Sequence, residues 1–231
     1  MPNGPLTLPA RLFLLAWDTD RLTVDEPARL PPLVRAGALA ELARRGLLVD
    51  DDGIVTPVGL DARTGDAVLD GLLEVVSESC PHRWKTWVTL RARHTCDAVR
   101  EQLVAEGLLR ARRRRVLGVF PSVEYALAGV ARAAALQERV RTVLDGREPA
   151  GDTSPADAVA ALLGAAAGLP TLRTAGDRAG RERRVEELLA GLTAPGAAQA
   201  GTGTGPALGE IVRALRSAAS TAPAPSLSTG R

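Results

Sequence analysis

One segment limits the fold more than any other. Ser154-Pro155-Ala156-Asp157 makes a good helix start, with a serine cap and a proline in the first turn. The helix it opens, Ala156 to Ala167, is almost wholly apolar. A helix without a polar face has to be enclosed by other elements. It needs a body of helices wrapped around it, and 231 residues are enough to build such a core without a disulfide or metal staple. Aromatic residues make up only 3% of the chain, so Leu, Val and Ala must fill that core. A chain rich in Ala and Leu and poor in β-branched residues leans toward helix. At 45% hydrophobic and 24% charged, the composition is that of an ordinary globular protein, not of a collagen, a coiled-coil rod, a disulfide scaffold or a disordered chain.

Proline, glycine and the apolar periodicity divide the rest of the chain. Leu6 to Trp17 reads as a buried first helix. Pro31-Pro32 opens a second, Leu33 to Arg45, capped by Gly46. Leu47-Leu48-Val49, Asp51-Asp52-Gly53 and Ile54-Val55 read as strand, Asp-Gly turn and strand. Thr64-Gly65-Asp66 starts a helix carrying Leu69, Leu72, Leu73 and Val76, which Pro81 stops. Trp84 to Arg93 and His94 to Glu106 are predicted as two more helices, the second ended by Gly107. Leu108-Leu109 and Val116 to Phe120 read as short strands, with Arg110 and Arg112 to Arg115 in the turn between them. Beyond Pro121 the pattern is all helical: one long helix from Val123 to Leu144, then Ala156 to Ala167, Arg178 to Leu192 and Leu208 to Ala218. Ala194 to Gly205 reads as a flexible link. Ser220 to Arg231, rich in Ala, Pro, Ser and Thr, reads as a disordered tail. The expected fold is mainly α, a single compact helical domain with short β-hairpins over residues 1–219, followed by a tail over 220–231.

Twenty-nine basic against 27 acidic residues leave a net charge of +2, so any attraction to a polyanion must come from a local cluster. The basic residues are arginines except for Lys85. Arg112, Arg113, Arg114 and Arg115 form such a cluster, followed by Val116, Leu117, Gly118, Val119 and Phe120. Cationic side chains beside an apolar strand suit an anionic bilayer surface, where each contributes about 1 kcal/mol. A solvated turn with a half-buried strand is the plainer reading. Arg91, Arg93 and Arg100 extend the same positive face, and Arg35 opens the second helix. No segment approaches the roughly 18–20 apolar residues of a membrane span. Leu12 to Trp17 has no basic region ahead of it, so no signal peptide is expected. The chain is expected in the cytoplasm, soluble or peripherally bound to a membrane.

Catalytic patterns are missing from the sequence. It has no Walker or Rossmann phosphate loop and no Gly-x-Ser-x-Gly. Cys80, His82, His94 and Cys96 fall in one segment, but their spacing fits no common zinc template. His94 and Cys96, two apart on a predicted helix, point in different directions. Asp50-Asp51-Asp52 reads as a solvated acidic turn. Neither an enzyme nor a metal or other cofactor is expected. A weak internal echo pairs Leu42 to Leu48 with Leu103 to Leu109, each a helix end, a glycine and two leucines before a hairpin. Winged-helix modules read this way too, so a DNA-binding regulator stands as the alternative. The motif helix, dominated by Ala and Leu, offers few polar residues to read bases.

Four stretches also occur in an order that resembles the Golgi phosphoprotein 3 family, whose eukaryotic members are phosphatidylinositol 4-phosphate-binding Golgi adaptors and which has many bacterial relatives. Leu6-Thr7-Leu8 with Leu12 to Leu15 is similar to the family's opening helix. Val34-Arg35-Ala36-Gly37 running to Glu41-Leu42-Ala43-Arg44-Arg45-Gly46 is similar to its most recognisable motif. Thr64-Gly65-Asp66 with Leu69-Asp70 matches a third stretch, and Leu103 to Leu109 the helix end before the family's hairpin. The helix Pro155 to Leu169 sits where the family has its central apolar helix. The similarity runs from about residue 6 to residue 192. It implies a mostly α-helical single domain with a lipid head group in a basic pocket, beside a hairpin that dips into the membrane. By position, Arg35 and Arg93 match two phosphate-contacting arginines. A third falls on Cys96, with Arg100 one turn further on as a substitute. The head-group-flanking tryptophan has no counterpart, because Thr19 to Pro31 contains no aromatic residue. The implied partner is an anionic phospholipid membrane, with protein clients besides and no nucleic acid; no oligomeric state is implied.

Overall fold

The computed structural model describes residues 5–24, 26–59, 62–116, 120–149, 151–173, 178–193 and 205–221. Among them are nine α-helices and three two-stranded antiparallel hairpins, each hairpin a separate sheet. The mainly α architecture expected from the composition is the one observed. Of the expected link Ala194 to Gly205 and tail Ser220 to Arg231, residues 194–204 and 222–231 lie outside the described residues, while Gly205 opens the last helix and Ser220 and Thr221 complete it.

Two helices form the centre. Helix α7 (Pro155–Ala166) packs against α1 (Leu8–Leu15), α2 (Leu30–Arg44), α6 (Val130–Leu144), α8 (Arg178–Thr193) and α9 (Gly205–Thr221). That enclosure is what its apolar sequence demands. Ser154 caps it, its hydroxyl accepting the Asp157 N–H at 3.1 Å. Helix α2 is the other centre, touching α1, α4 (Trp84–Thr89), α5 (Ala92–Ala105), α7 and α9, and buried from Leu33 through Ala43. Its charged residues hid this in the sequence. Glu41 is buried because Arg44 and Arg45 pair with it at 2.8 and 2.9 Å. Gly37 lies where α1 crosses: a Cβ there would stand 2.5 Å from Leu12 Cδ1 and 3.2 Å from Pro9 Cα.

The internal echo is a helix-stop device. After α2, Gly46 at φ +70° lets its own N–H reach Ala43 O (2.9 Å) and the Leu47 N–H reach Leu42 O (2.9 Å). Gly107 repeats the pattern after α5, with 3.0 Å to Val104 O and 2.9 Å from Leu108 N to Leu103 O. This is the left-handed glycine closure that satisfies the last carbonyls of a helix. Thr64-Gly65-Asp66 is likewise structural. Asp66 accepts the Val68 and Leu69 N–H groups at 3.0 and 2.9 Å to cap α3 (Ala67–Glu78), and Asp70 takes the Thr64 N–H at 2.6 Å.

Four expectations need correction. The first helix spans Leu8–Leu15, and Trp17–Asp18 (β1) pairs with Thr23–Val24 (β2) in a hairpin the sequence reading did not contain. The predicted helix Trp84 to Arg93 breaks: α4 ends at Thr89, Arg91 adopts φ +50°, ψ +30°, and α5 starts at Ala92. The arginine run is strand, not turn. Leu109–Val116 (β5) pairs with Phe120–Leu127 (β6) from Leu109↔Leu127 through Val116↔Phe120. That pairing also replaces the first turns of the predicted helix from Val123, so α6 begins only at Val130. The remaining hairpin, Leu48–Asp51 (β3) with Ile54–Pro57 (β4), turns at Asp52-Gly53 as read.

Candidate functional site

The break between α4 and α5 has a cause on α2. Arg35 follows the helix-opening prolines and is 3% exposed. Its Nη2 donates to the carbonyls of Leu90 (2.8 Å) and Arg91 (2.9 Å). A continuous helix would give those carbonyls to the N–H groups four residues on. The buried guanidinium takes Leu90 O and shares Arg91 O with the His94 N–H at 3.0 Å, and the chain turns through a left-handed arginine, a conformation that costs an L-residue about 1–2 kcal/mol. Arg35 is not fully satisfied in return: its Nε is buried without a partner. Burial pulls its pKa down to about 10, which leaves it cationic at neutral pH. Arg93, in the first turn of α5, is exposed just past this corner. The structure thus brings Arg35 to the main chain two residues before Arg93.

The next turns of α5 differ from expectation. Cys96, which the resemblance aligned with a third arginine, is buried, and its thiol is pushed up to about 11, chiefly by burial. It is an uncharged core residue. Arg100 is half-buried and engaged. It pairs with Asp97 at 2.6 Å, and its guanidinium carbon lies 4.8 Å from the centre of the Tyr125 ring and 6.0 Å from that of Phe13. These contacts join α5 to β6 and α1. The sequence reading missed Tyr125, Phe13 and Asp97 as partners. The alternation Val123, Tyr125, Leu127 was the available signal, obscured by the helix expected there.

The β5–β6 hairpin has two unlike faces, because side chains alternate along a strand. Leu109, Ala111 and Arg113 share one face with their partners Leu127, Tyr125 and Val123. Leu109 and Leu127 are buried in the core, Tyr125 is half-buried, and Val123 is 48% exposed. This face therefore starts in the core and runs outward through apolar residues to Val123, where exposed Arg113 lies beside it. Arg110 and Arg112 lie on the other face, with Arg112 opposite Glu124. Arg110, Arg112 and Arg113 are exposed. The side chains of Arg114, Arg115, Val116 and Phe120, and all of Leu117 and Val119, lie outside the described residues.

Among the described residues no helix is long and apolar enough to cross a membrane, and no three His, Cys, Asp or Glu side chains group to hold a metal ion. Helix α2 is buried along its length and has no free face to enter a DNA groove. What remains is a class of helical domain that offers its surroundings a basic corner and an arginine-bearing hairpin. The chain belongs to the Golgi phosphoprotein 3 family, whose model matches residues 8–215. No curated protein gives a significant match.

Proposed function

We propose that the protein is a peripheral membrane adaptor on the cytoplasmic face of a membrane, binding an anionic phospholipid head group at the Arg35–Arg93 corner. Phosphatidylinositol 4-phosphate is the head group that family membership suggests. One observation carries the reading: a buried arginine with an unpartnered N–H sits beneath a strained turn that presents an exposed arginine. Buried donors are rarely left unpaired, and strained backbone gathers at functional sites. Arg93 supplies the accessible phosphate contact and Arg35 the charge and spare donors beneath it. Cys96 brings no charge, so selectivity for one phosphoinositide is weak. Arg100 holds the hairpin, while Arg110, Arg112 and Arg113 attract an anionic surface and the strip leading to Val123 rests on it. Protein clients would bind elsewhere on the body.

Liposome co-sedimentation tests this. Vesicles carry neutral lipid alone, added phosphatidylserine, or added phosphatidylinositol 4-phosphate at matched charge. The protein should sediment with both anionic sets, less as salt rises, because exposed charges are screened. Arg93→Ala combined with Arg112→Gln and Arg113→Gln should abolish sedimentation. Equal binding by that variant, or none by the parent, overturns the reading.

A further inference from the structure

The other end of α4 bears a cleft unconnected with the Arg35 corner. The β3–β4 turn, the start of α4 and one face of α9 border an open cleft of about 470 Å³, lined by Arg83, Lys85, Arg213 and Ser217, with Asp52 and Glu210. Small-ligand sites are roughly 300–1,000 Å³. Glu210, Arg213 and Ser217 share a helix face by their spacing. The main chain at Arg83 is held: Ile54 bridges to Arg83, and the Val55 N–H reaches His82 O at 3.0 Å. Trp84, the next residue, is buried and gives its indole N–H to Asp50 at 2.5 Å.

Arg83, Lys85 and Arg213 face two carboxylates in the lining, Asp52 and Glu210, so the cations outnumber the acids by one. Glu210 takes Arg213 Nη2 alone, at 2.7 Å, leaving that fork's other donors open. Among the described residues Arg83 and Lys85 have no ion pair and no side-chain hydrogen bond. The excess positive charge and the two unpaired cations, Arg83 and Lys85, favour an added anion.

We propose that this cleft binds a phosphate group carried as a monoester or diphosphate. The Arg83 fork suits two phosphate oxygens at once, Lys85 acts as a point charge, and Arg213 and the Ser217 hydroxyl complete the donors. A free phosphorylated metabolite and a lipid with a terminal phosphate offer the same chemistry.

Lys85 is the only lysine, which supplies the test. Reductive ¹³C-methylation of the full-length protein keeps the amine charged and marks Lys85 and the N-terminus; Lys85→Arg identifies which signal is which. Inorganic pyrophosphate should shift the Lys85 signal to saturation. Arg83→Gln should weaken that binding roughly tenfold, the effect of losing a charged hydrogen-bond partner. Arg83→Gln with Arg213→Gln should abolish the shift, and Arg93→Gln should leave it unchanged. No shift, or one insensitive to Arg83→Gln, means an adventitious ion only and overturns the proposal. A second arm uses neutral vesicles with and without phosphatidic acid. Broadening of the Lys85 signal that Arg83→Gln removes assigns the phosphate to a lipid. Saturation by pyrophosphate with no such broadening assigns it to a soluble metabolite. Broadening that survives Arg83→Gln but not Arg93→Gln reports the membrane contact proposed above and leaves this cleft judged by the pyrophosphate arm.

Discussion

Arg35 and Arg112 are the same side chain in opposite settings. Arg35 is enclosed by the helical body and bonded to two main-chain carbonyls, and it shapes the chain around it. Arg112 stands exposed on a strand opposite Glu124 and shapes nothing that is buried. In the first setting the charge is a structural strap with a fraction of its donors spare. In the second it is free for an external anion. A count of arginines cannot separate the two; what surrounds them does.

The largest effect expected from breaking that contrast lies at Arg35. Arg35→Ala strands the Leu90 carbonyl, while Arg91 O keeps the His94 N–H at 3.0 Å, and should cost about 2–4 kcal/mol in urea denaturation. Because the contact is buried, the loss should barely change with salt. A loss below 0.5 kcal/mol, the range of ordinary surface substitutions, would mean that Arg35 is no strap.

Much of this arrangement was legible beforehand, and the failures share one cause. The central place of α7 is legible in its lack of a polar face, the start of α3 in Thr64-Gly65-Asp66 and the end of α5 in Gly107. The family motifs were legible as patterns, yet Gly37, Gly46, Glu41 and Asp66 turn out to serve packing and capping. Local pattern failed where a distant partner decides. Nothing between Trp84 and Arg93 announces that Arg35, about fifty residues earlier, will take two of its carbonyls. Four consecutive arginines look like a turn until β6 is known to pair with them. The polar residues of α2 concealed its burial, because Arg44 and Arg45 neutralise Glu41 only once the helix has formed.

An ion cluster around a buried acid extends the comparison, with one of its two arginines, Arg139, exposed. Asp157, at the start of α7, meets Arg11 of α1 and, at 3.1 Å, Arg139 of α6. Burial pushes its carboxyl up, but hydrogen bonds with Ser154, Arg11 and Arg139 outweigh that and hold it below its usual 3.8. A carboxylate depressed in the folded state contributes stability that is present above the unfolded value and is lost as pH falls through the folded one. Asp157→Asn should therefore cost roughly 1–3 kcal/mol at pH 7. It should also flatten the decline in stability on acidification below about pH 4. Parallel acid profiles of parent and variant would show that Asp157 is not the linked group.

Arg100 stands between the two settings, half-buried and tied to the hairpin. Arg100→Leu removes the Asp97 pair and the stack on Tyr125, a cation–π contact of about 0.5–2 kcal/mol. Tyr125 is the only tyrosine, so its ring signals should shift in the variant, and amide exchange in β6 should quicken while α7 keeps its protection. Unchanged exchange in β6 would assign hairpin docking to Leu109 and Leu127 alone.

The smallest effect on stability is expected at the hairpin arginines, and it sharpens the contrast most. Arg112→Gln and Arg113→Gln remove charges from exposed strand positions. Each should change unfolding free energy by no more than about 0.5 kcal/mol. Their effect should appear only against a charged surface, where each lost cation removes about 1 kcal/mol, a factor of roughly five in partitioning onto anionic vesicles. The two substitutions together should then give about a twenty-five-fold loss that shrinks at high salt, with the denaturation midpoint little moved. Arg113 lies on the same face as Val123, so its neutral substitute can still sit against the bilayer, whereas Arg112 is opposed by Glu124, whose negative charge remains. Arg112→Gln should therefore be the more damaging of the pair. Equal losses from the two would mean that the hairpin lies against the membrane without regard to face, its arginines acting as one unoriented charge.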